Sequence, residues 1–245
     1  MKIHKTAIVS EKAILGDDVE IGPFSIIYDN VEIKSGVKIE GYCEIGVENS
    51  FSAGEPIVIG MNSHIRSHSI FYTGSKFGDN LITGHRVTVR EKTIAGIGLQ
   101  IGTLSDIQGH CVIGNYVRFH SNVHIGQKSR IGNYVWIFPY VVLTNDPHPP
   151  SNVLKGVVVE DFAVIATMSV ILPGVKVAAH SLVGAHSLVV KDTEPHKVYA
   201  GSPAKYICQT DKIKHQDGSG ESAYPWNKKF IRGYPDSIVQ SWSDS

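Results

Sequence analysis

Residues 101–144 read IGTLSDIQGHCVIGNYVRFHSNVHIGQKSRIGNYVWIFPYVVLT. An aliphatic or aromatic residue returns at every sixth position: Ile101, Ile107, Ile113, Phe119, Ile125, Ile131, Ile137 and Leu143. Glycine often follows it, at Gly102, Gly114, Gly126 and Gly132. Two positions ahead stands a small or branched residue: Ser105, Cys111, Val117, Val123, Ser129, Val135 and Val141. A short fixed period of this kind marks a solenoid, in which each repeat buries its apolar side against its neighbours. Side chains in a strand alternate between faces, so each hexad supplies an inner file and an outer one. The pattern predicts an all-β chain with little helix.

The period extends in both directions. Eight hexads precede a break, at Ile3, Val9, Leu15, Ile21, Ile27, Ile33, Ile39 and Ile45. Residues Phe51 to Pro56 shift the register by two and read as a small outward loop. From Ile59 the beat resumes, with Thr83 and Ala95 as weak members. A second excursion, about residues 145–156, contains Asn145-Asp146-Pro147-His148-Pro149-Pro150; a loop of this length in a compact domain marks function or disorder. Six further hexads run from Val159 to Val189. The expected organisation is one repeat domain over residues 1–205 and a C-terminal extension over 206–245. The aromatics of the extension, Tyr224, Trp226, Phe230 and Tyr234, are expected to dock on the last coil or on a neighbour, because solenoid ends need covering.

The chain has 245 residues, of which 42% are hydrophobic, and its 23 basic side chains balance 23 acidic ones. That balance offers nothing to a nucleic acid or a membrane surface. No apolar run reads as a signal peptide or a membrane span, so the cytoplasm is the expected compartment. Cys43 and Cys111 take small inward positions and read as reduced core residues, which fits the same compartment.

The hexads resemble the left-handed parallel β-helix of the hexapeptide acyltransferases. In that fold three hexads make one triangular coil, so this chain would have about nine coils, and residues 18 apart would stack about 4.8 Å apart. Two segments carry a closer likeness. Ile171-Leu172-Pro173-Gly174-Val175 with Val183 to Asp192 and Ala200-Gly201-Ser202-Pro203-Ala204-Lys205 is similar to the acetyl-CoA-dependent members. Ser105-Asp106-Ile107-Gln108 and Leu143-Thr144-Asn145-Asp146-Pro147 resemble the enzymes that acylate the amine of nucleotide-linked dideoxy-amino sugars. The resemblance implies a short acyl-CoA, such as acetyl-CoA, as co-substrate and a nucleotide-linked (dTDP) amino sugar as acceptor. It also implies a homotrimer with active sites between subunits, working on precursors of surface polysaccharide such as lipopolysaccharide O-antigen. It departs at Asn122, where many relatives carry a histidine.

Stacking at 18 residues places His124 outward, directly on Asp106. An imidazole beside a carboxylate can take a proton from a substrate amine while the carboxylate fixes its tautomer. Alternatively Asp106 binds the amine directly, or the pair only braces two coils. Gln108, on the same outer face, could orient the sugar. Asn145 and Asp146 open the second excursion beside His124 and are candidates for substrate binding, although Asn and Asp before Pro also explain a turn. His120 falls on another face near Arg118, Trp136 and Phe138, a composition that suits either a subunit interface or a base-stacking surface. Trp136, Phe138 and Leu182 are expected to pair between prisms. Ala166 and Gly184 stack as small outward residues that would let a pantetheine arm lie close, and Lys191 and Lys205 are candidate phosphate partners. His64, His68 and His85 have no carboxylate at the stacking distance and receive no role. No metal is expected. A zinc carbonic anhydrase would need three convergent imidazoles, and neither that reading nor a non-catalytic scaffold accounts for the segments quoted above. O-acetylation of a sugar, amino acid or drug remains the alternative activity.

Overall fold

The computed structural model describes residues 1–52 and 54–242. Ala53, in the first expected loop, and residues 243–245, at the end of the expected extension, lie outside them. Each hexad forms a short strand at its large apolar residue. The strands stack into three sheets of 12, 10 and 9 strands, with every third strand in sequence hydrogen-bonded to the next in its sheet. The result is a left-handed parallel β-helix of triangular section. Its axis is filled by the inner file, including Ile101, Ile107, Ile113, Phe119 and Ile125, none more than 3% exposed. The weak members Thr83 and Ala95 also point inward and are buried. So are Cys43 and Cys111, whose thiols burial pushes up to about 11 and about 12, away from reactivity.

The corners explain the rest of the repeat. Between strands the backbone turns through the left-handed region, often without glycine: φ is 53° at Tyr116, 59° at Asn122 and 58° at Tyr134. Their N–H groups are satisfied from the coil below, as in Asn122 N to Thr103 O at 2.9 Å. Corner side chains then stack along the axis, and Tyr134, Phe162, His180 and His196 form a ladder with ring centroids 4.7–4.8 Å apart. The glycine after the inner residue has a different task. A Cβ on Gly102 would lie 2.3 Å from the carbonyl carbon of His120, so only glycine lets these coils approach.

Both excursions leave at corners, and stacking resumes beyond them with a larger offset. Lys38 pairs with His64, and Arg130 with Val158. The helix continues one parallel strand past the last expected hexad, in Lys197–Ala200, and the antiparallel strand Lys205–Gln209 closes that sheet.

The extension departs from expectation. Its aromatics touch the last expected coil only at its flank, at Leu182, and run back along the side of lower coils of the same chain. Trp226, Tyr234 and Trp242 are buried with Val164 against Tyr116, Tyr134, Trp136 and Phe162. The Arg118 guanidinium lies 4.8 Å from the Trp136 ring centre and 4.4 Å from that of Tyr234, and donates to Gly233 O at 2.7 Å. The face expected to pair between prisms through Trp136, Phe138 and Leu182 is therefore packed against the chain's own extension. Among the described residues no helix is long and apolar enough to cross a membrane.

Phe71 is among the largest fully buried side chains and packs edge-on to Phe77 at 5.3 Å. Phe71→Ala should destabilise the helix by about 3–5 kcal/mol through lost transfer energy and a residual cavity. Urea denaturation should show a lower midpoint with an unchanged slope.

Candidate active site

Asp106 and His124 begin two strands, Asp106–Ile107 and His124–Ile125, that pair in parallel with these two residues opposite one another. Their inward neighbours Ser105, Ile107, Val123 and Ile125 are buried, which turns Asp106 and His124 outward. Ser105 locks the alignment: its hydroxyl donates to His120 O at 2.9 Å and accepts from Val123 N at 3.2 Å. His124 Nδ1 then lies 3.1 Å from Asp106 Oδ2, with side chains 40% and 33% exposed. Gln108 Nε2 donates to the same carboxylate oxygen. Burial alone would raise the Asp106 carboxyl; hydrogen bonds from His124 and Gln108, with the nearby charges of His124 and Arg90, outweigh it and hold the group below the usual carboxylate range. An ionised carboxylate keeps the proton on Nδ1 and leaves Nε2 as an acceptor.

A buried network that the repeat did not reveal flanks this pair. Glu91 is fully buried at a corner, where Asn49 Nδ2 donates to it at 2.8 Å, and Arg90 Nε and Nη2 at 3.2 and 3.3 Å. Burial pushes the Glu91 carboxyl up, but these bonds and the guanidinium charge bring it below its ordinary value. Asn49 comes from the first excursion, so that loop orients Arg90, whose charge reaches Asp106. The only clue in the sequence is an Arg-Glu pair at a corner.

The second excursion closes on itself. Lys155 N donates to Asn145 O at 2.8 Å. The Asp146 carboxylate accepts from Ser151 N at 2.7 Å, Ser151 Oγ at 2.6 Å and His148 N at 2.9 Å. Those bonds, led by the Ser151 hydroxyl, hold the group below the usual range. Asp146 thus braces the loop, while Asn145 lies beside Gly126, at the end of the His124 strand.

The remaining candidates lie apart from the pair. His120 is on the adjacent face, stacked on Phe138 with centroids 4.6 Å apart. Ala166 and Gly184 follow in the same outward column, with Gly184 against Ala200. Lys191 and Lys205 are exposed near the top of the helix. His64 and His85 require a correction, because Glu40 Oε1 lies 2.9 Å from His64 Nε2 and Glu40 Oε2 lies 4.0 Å from His85 Nδ1. The first excursion widens the stacking offset there, so a count of 18 misses Glu40. Among the described residues no three of His, Cys, Asp or Glu gather as a metal ion would require.

Residues 12–46 match the bacterial transferase hexapeptide (six repeats) family. The acyl-[acyl-carrier-protein]–UDP-N-acetylglucosamine O-acyltransferase of Saccharophagus degradans is 35% identical over 140 residues, covering 54% of this chain and 48% of its own. That of Sinorhizobium fredii is 28% identical over 208 residues, covering 82% and 68%. The chain spans about half the length of the first of these relatives. The solved Arabidopsis UDP-N-acetylglucosamine acyltransferase superposes with a TM-score of 0.68 at 19% identity, over 84% of this chain and 74% of that one, which shows a shared fold. In repeat, sequence and fold the chain is similar to the hexapeptide-repeat sugar acyltransferases.

The depressed Asp106 carboxyl has a pH signature. A group whose folded pKa lies below its unfolded value of about 3.9 contributes stability at neutral pH that is lost as pH falls through the folded value. Urea denaturation from pH 7 down to about 3 should therefore show wild type and Asp106→Asn converging in stability as the carboxylate protonates.

Proposed function

We propose that the chain is an acyl-CoA-dependent N-acyltransferase. It moves an acetyl or other short acyl group to the amino group of a nucleotide-linked, dTDP-type dideoxy-amino sugar, in cytoplasmic synthesis of surface-polysaccharide precursors. The observation that carries this reading is the half-exposed His124–Asp106 pair at 3.1 Å, beside the second excursion.

In this reading His124 Nε2 takes a proton from the substrate ammonium and passes it to solvent. The neutral amine attacks the thioester carbonyl carbon, forming the C–N bond as the C=O π electrons move to oxygen. The tetrahedral nitrogen gives its surplus proton to Nε2. Collapse restores C=O, breaks the C–S bond, and the thiolate takes that proton from the imidazolium. Asp106 stabilises the imidazolium and offers negative charge to the incoming ammonium. Gln108 and Asn145 orient the sugar, and Asp146 keeps the loop in shape. Ala166 and Gly184 give the pantetheine arm close passage, with Lys191 and Lys205 toward its phosphates. A homotrimer completes the groove between neighbouring prisms.

The second reading is O-acylation from an acyl carrier protein, the activity named for the curated relatives; there His124 would deprotonate a hydroxyl. Thiol release from a panel of acyl-CoAs and acyl carrier proteins, crossed with nucleotide amino sugars and UDP-N-acetylglucosamine, separates the two. The expected result is release only with a short acyl-CoA and an amino sugar. Release only with the hydroxyl acceptor would replace the first reading by the second.

His124→Asn should retain CoA affinity and lower turnover by roughly 10²–10⁴, the range for loss of a general base. Higher pH should partly restore it, because more amine is then neutral. Near-native turnover at all pH values would make the histidine a brace. Light scattering at micromolar concentration should give three times the chain mass; a stable monomer would remove the shared groove.

A further inference from the structure

Where the extension crosses the helix it leaves a cleft of about 300 Å³ between two sets of rings, within the range of small-molecule sites. His120, Trp136 and Phe138 form its floor, Trp226 and Phe230 one wall, and Arg232 stands at the rim. The indole N–H groups are spent elsewhere: Trp136 donates to Tyr234 Oη at 2.9 Å and Trp226 to Phe162 O at 3.0 Å. The rings are thus held in fixed poses and their carbon surfaces remain for a ligand. His120 is different, for its ring makes no hydrogen bond among the described residues. The adjoining groove, about 440 Å³, shares Trp136, His120, Phe230 and Arg232 and adds Gln100, Arg118 and Ser121. Two guanidinium groups border the combined space, and among the described residues no carboxylate lines either part.

The floor is a face of stacked rings, and Trp226 and Phe230 stand edge-on to Trp136 at 77° and 84° as a wall. An aromatic face walled in this way and opening into an arginine-bordered polar groove has the chemistry of a base with a phosphate chain: the floor stacks the base, the wall meets its edge, and guanidinium groups meet the phosphates. Its place fits as well. His120 precedes His124 by four residues across one corner, and four residues of chain span at most about 14 Å. The ribose and diphosphate of a nucleotide sugar together reach across a gap of that order, so a base near His120 and a sugar at the His124–Asp106 pair can belong to one molecule. We infer that this cleft is a nucleotide subsite, in which a nucleobase stacks among His120, Trp136, Phe138 and Phe230 while its phosphates meet Arg232 and Arg118. The inference rests on the proposed nucleotide-sugar reading for its preferred occupant. The adenosine of CoA has the same chemistry and is the other source.

Trp136 and Trp226, two of the three tryptophans, line the cleft and report on it directly. The full chain is titrated separately with dTDP, UDP and CoA while tryptophan fluorescence is followed. Saturable quenching is expected with a nucleoside diphosphate. Phe230→Ala and Arg232→Gln, checked for native circular dichroism, should each weaken it by about tenfold or more. His124→Asn should leave quenching unchanged. Quenching by CoA alone, with the same loss in both variants, would keep the subsite and assign it to the donor. No saturable quenching by any of the three, or equal quenching in both variants, overturns the inference, even if acyl transfer is observed. Intact, variant-sensitive quenching without acyl transfer to any acceptor would instead count against the proposed reaction alone.

Discussion

Everything in this molecule depends on one ladder of backbone hydrogen bonds. Each strand's N–H group reaches the carbonyl of the residue one coil on, as in Asp106 N to Val123 O and His124 N to Val141 O, both 2.9 Å. Because side chains alternate with a period of two, a slip of one residue would turn a strand inside out, burying Asp106 and exposing Ile107. The cost of that slip fixes the register, and the register fixes what lies beside what on the outside. The imidazole–carboxylate pair is therefore positioned by backbone, with a buried serine as its pin. Side chains on rigid elements hold their geometry better than side chains on loops.

The inner file was legible in the sequence because it is the part selected by a single demand, apolar filling of a narrow axis. Even Thr83 and Ala95, poor as hydrophobes, keep their places. The outward pair was legible for the same reason, since no insertion lies between residues 106 and 124. Elsewhere the count misled. Glu40 and His64 meet across the first excursion, where pairing links Lys38 to His64 and a search at 18 residues finds nothing. Glu91 escaped because it occupies a corner, outside the inner and outer files that the six-residue beat defines, and is bonded by an asparagine 42 positions away. Tyr224, Trp226, Phe230 and Tyr234 announced a docking segment by composition, but nothing periodic says where an aperiodic segment lands.

The extension changes the meaning of one face. Arg118 and Trp136 stand in a column that looks, strand by strand, like an apolar surface awaiting another prism. The chain covers much of it itself, with an arginine held between two rings and an indole bonded to a tyrosine hydroxyl. Burial pushes that hydroxyl of Tyr234 up to about 12, so it stays protonated through ordinary pH. The covered face is chemically varied, unlike the inner file, and combines flat rings with cationic rims.

The excursion after Thr144 is tied at its base by the bond from Lys155 N to Asn145 O, and on its far side Val158 pairs with Arg130 as the preceding strand pairs with its own neighbour. To the coils above and below, the detour is silent. Lengthening or recasting it would cost only loop-closure entropy, which grows slowly with length, and would not touch the axis. A corner of this helix is thus a port through which chain can be added directly beside the fixed imidazole–carboxylate pair. In the proposed function, selectivity for an acceptor would then vary by insertion while the scaffold stays constant.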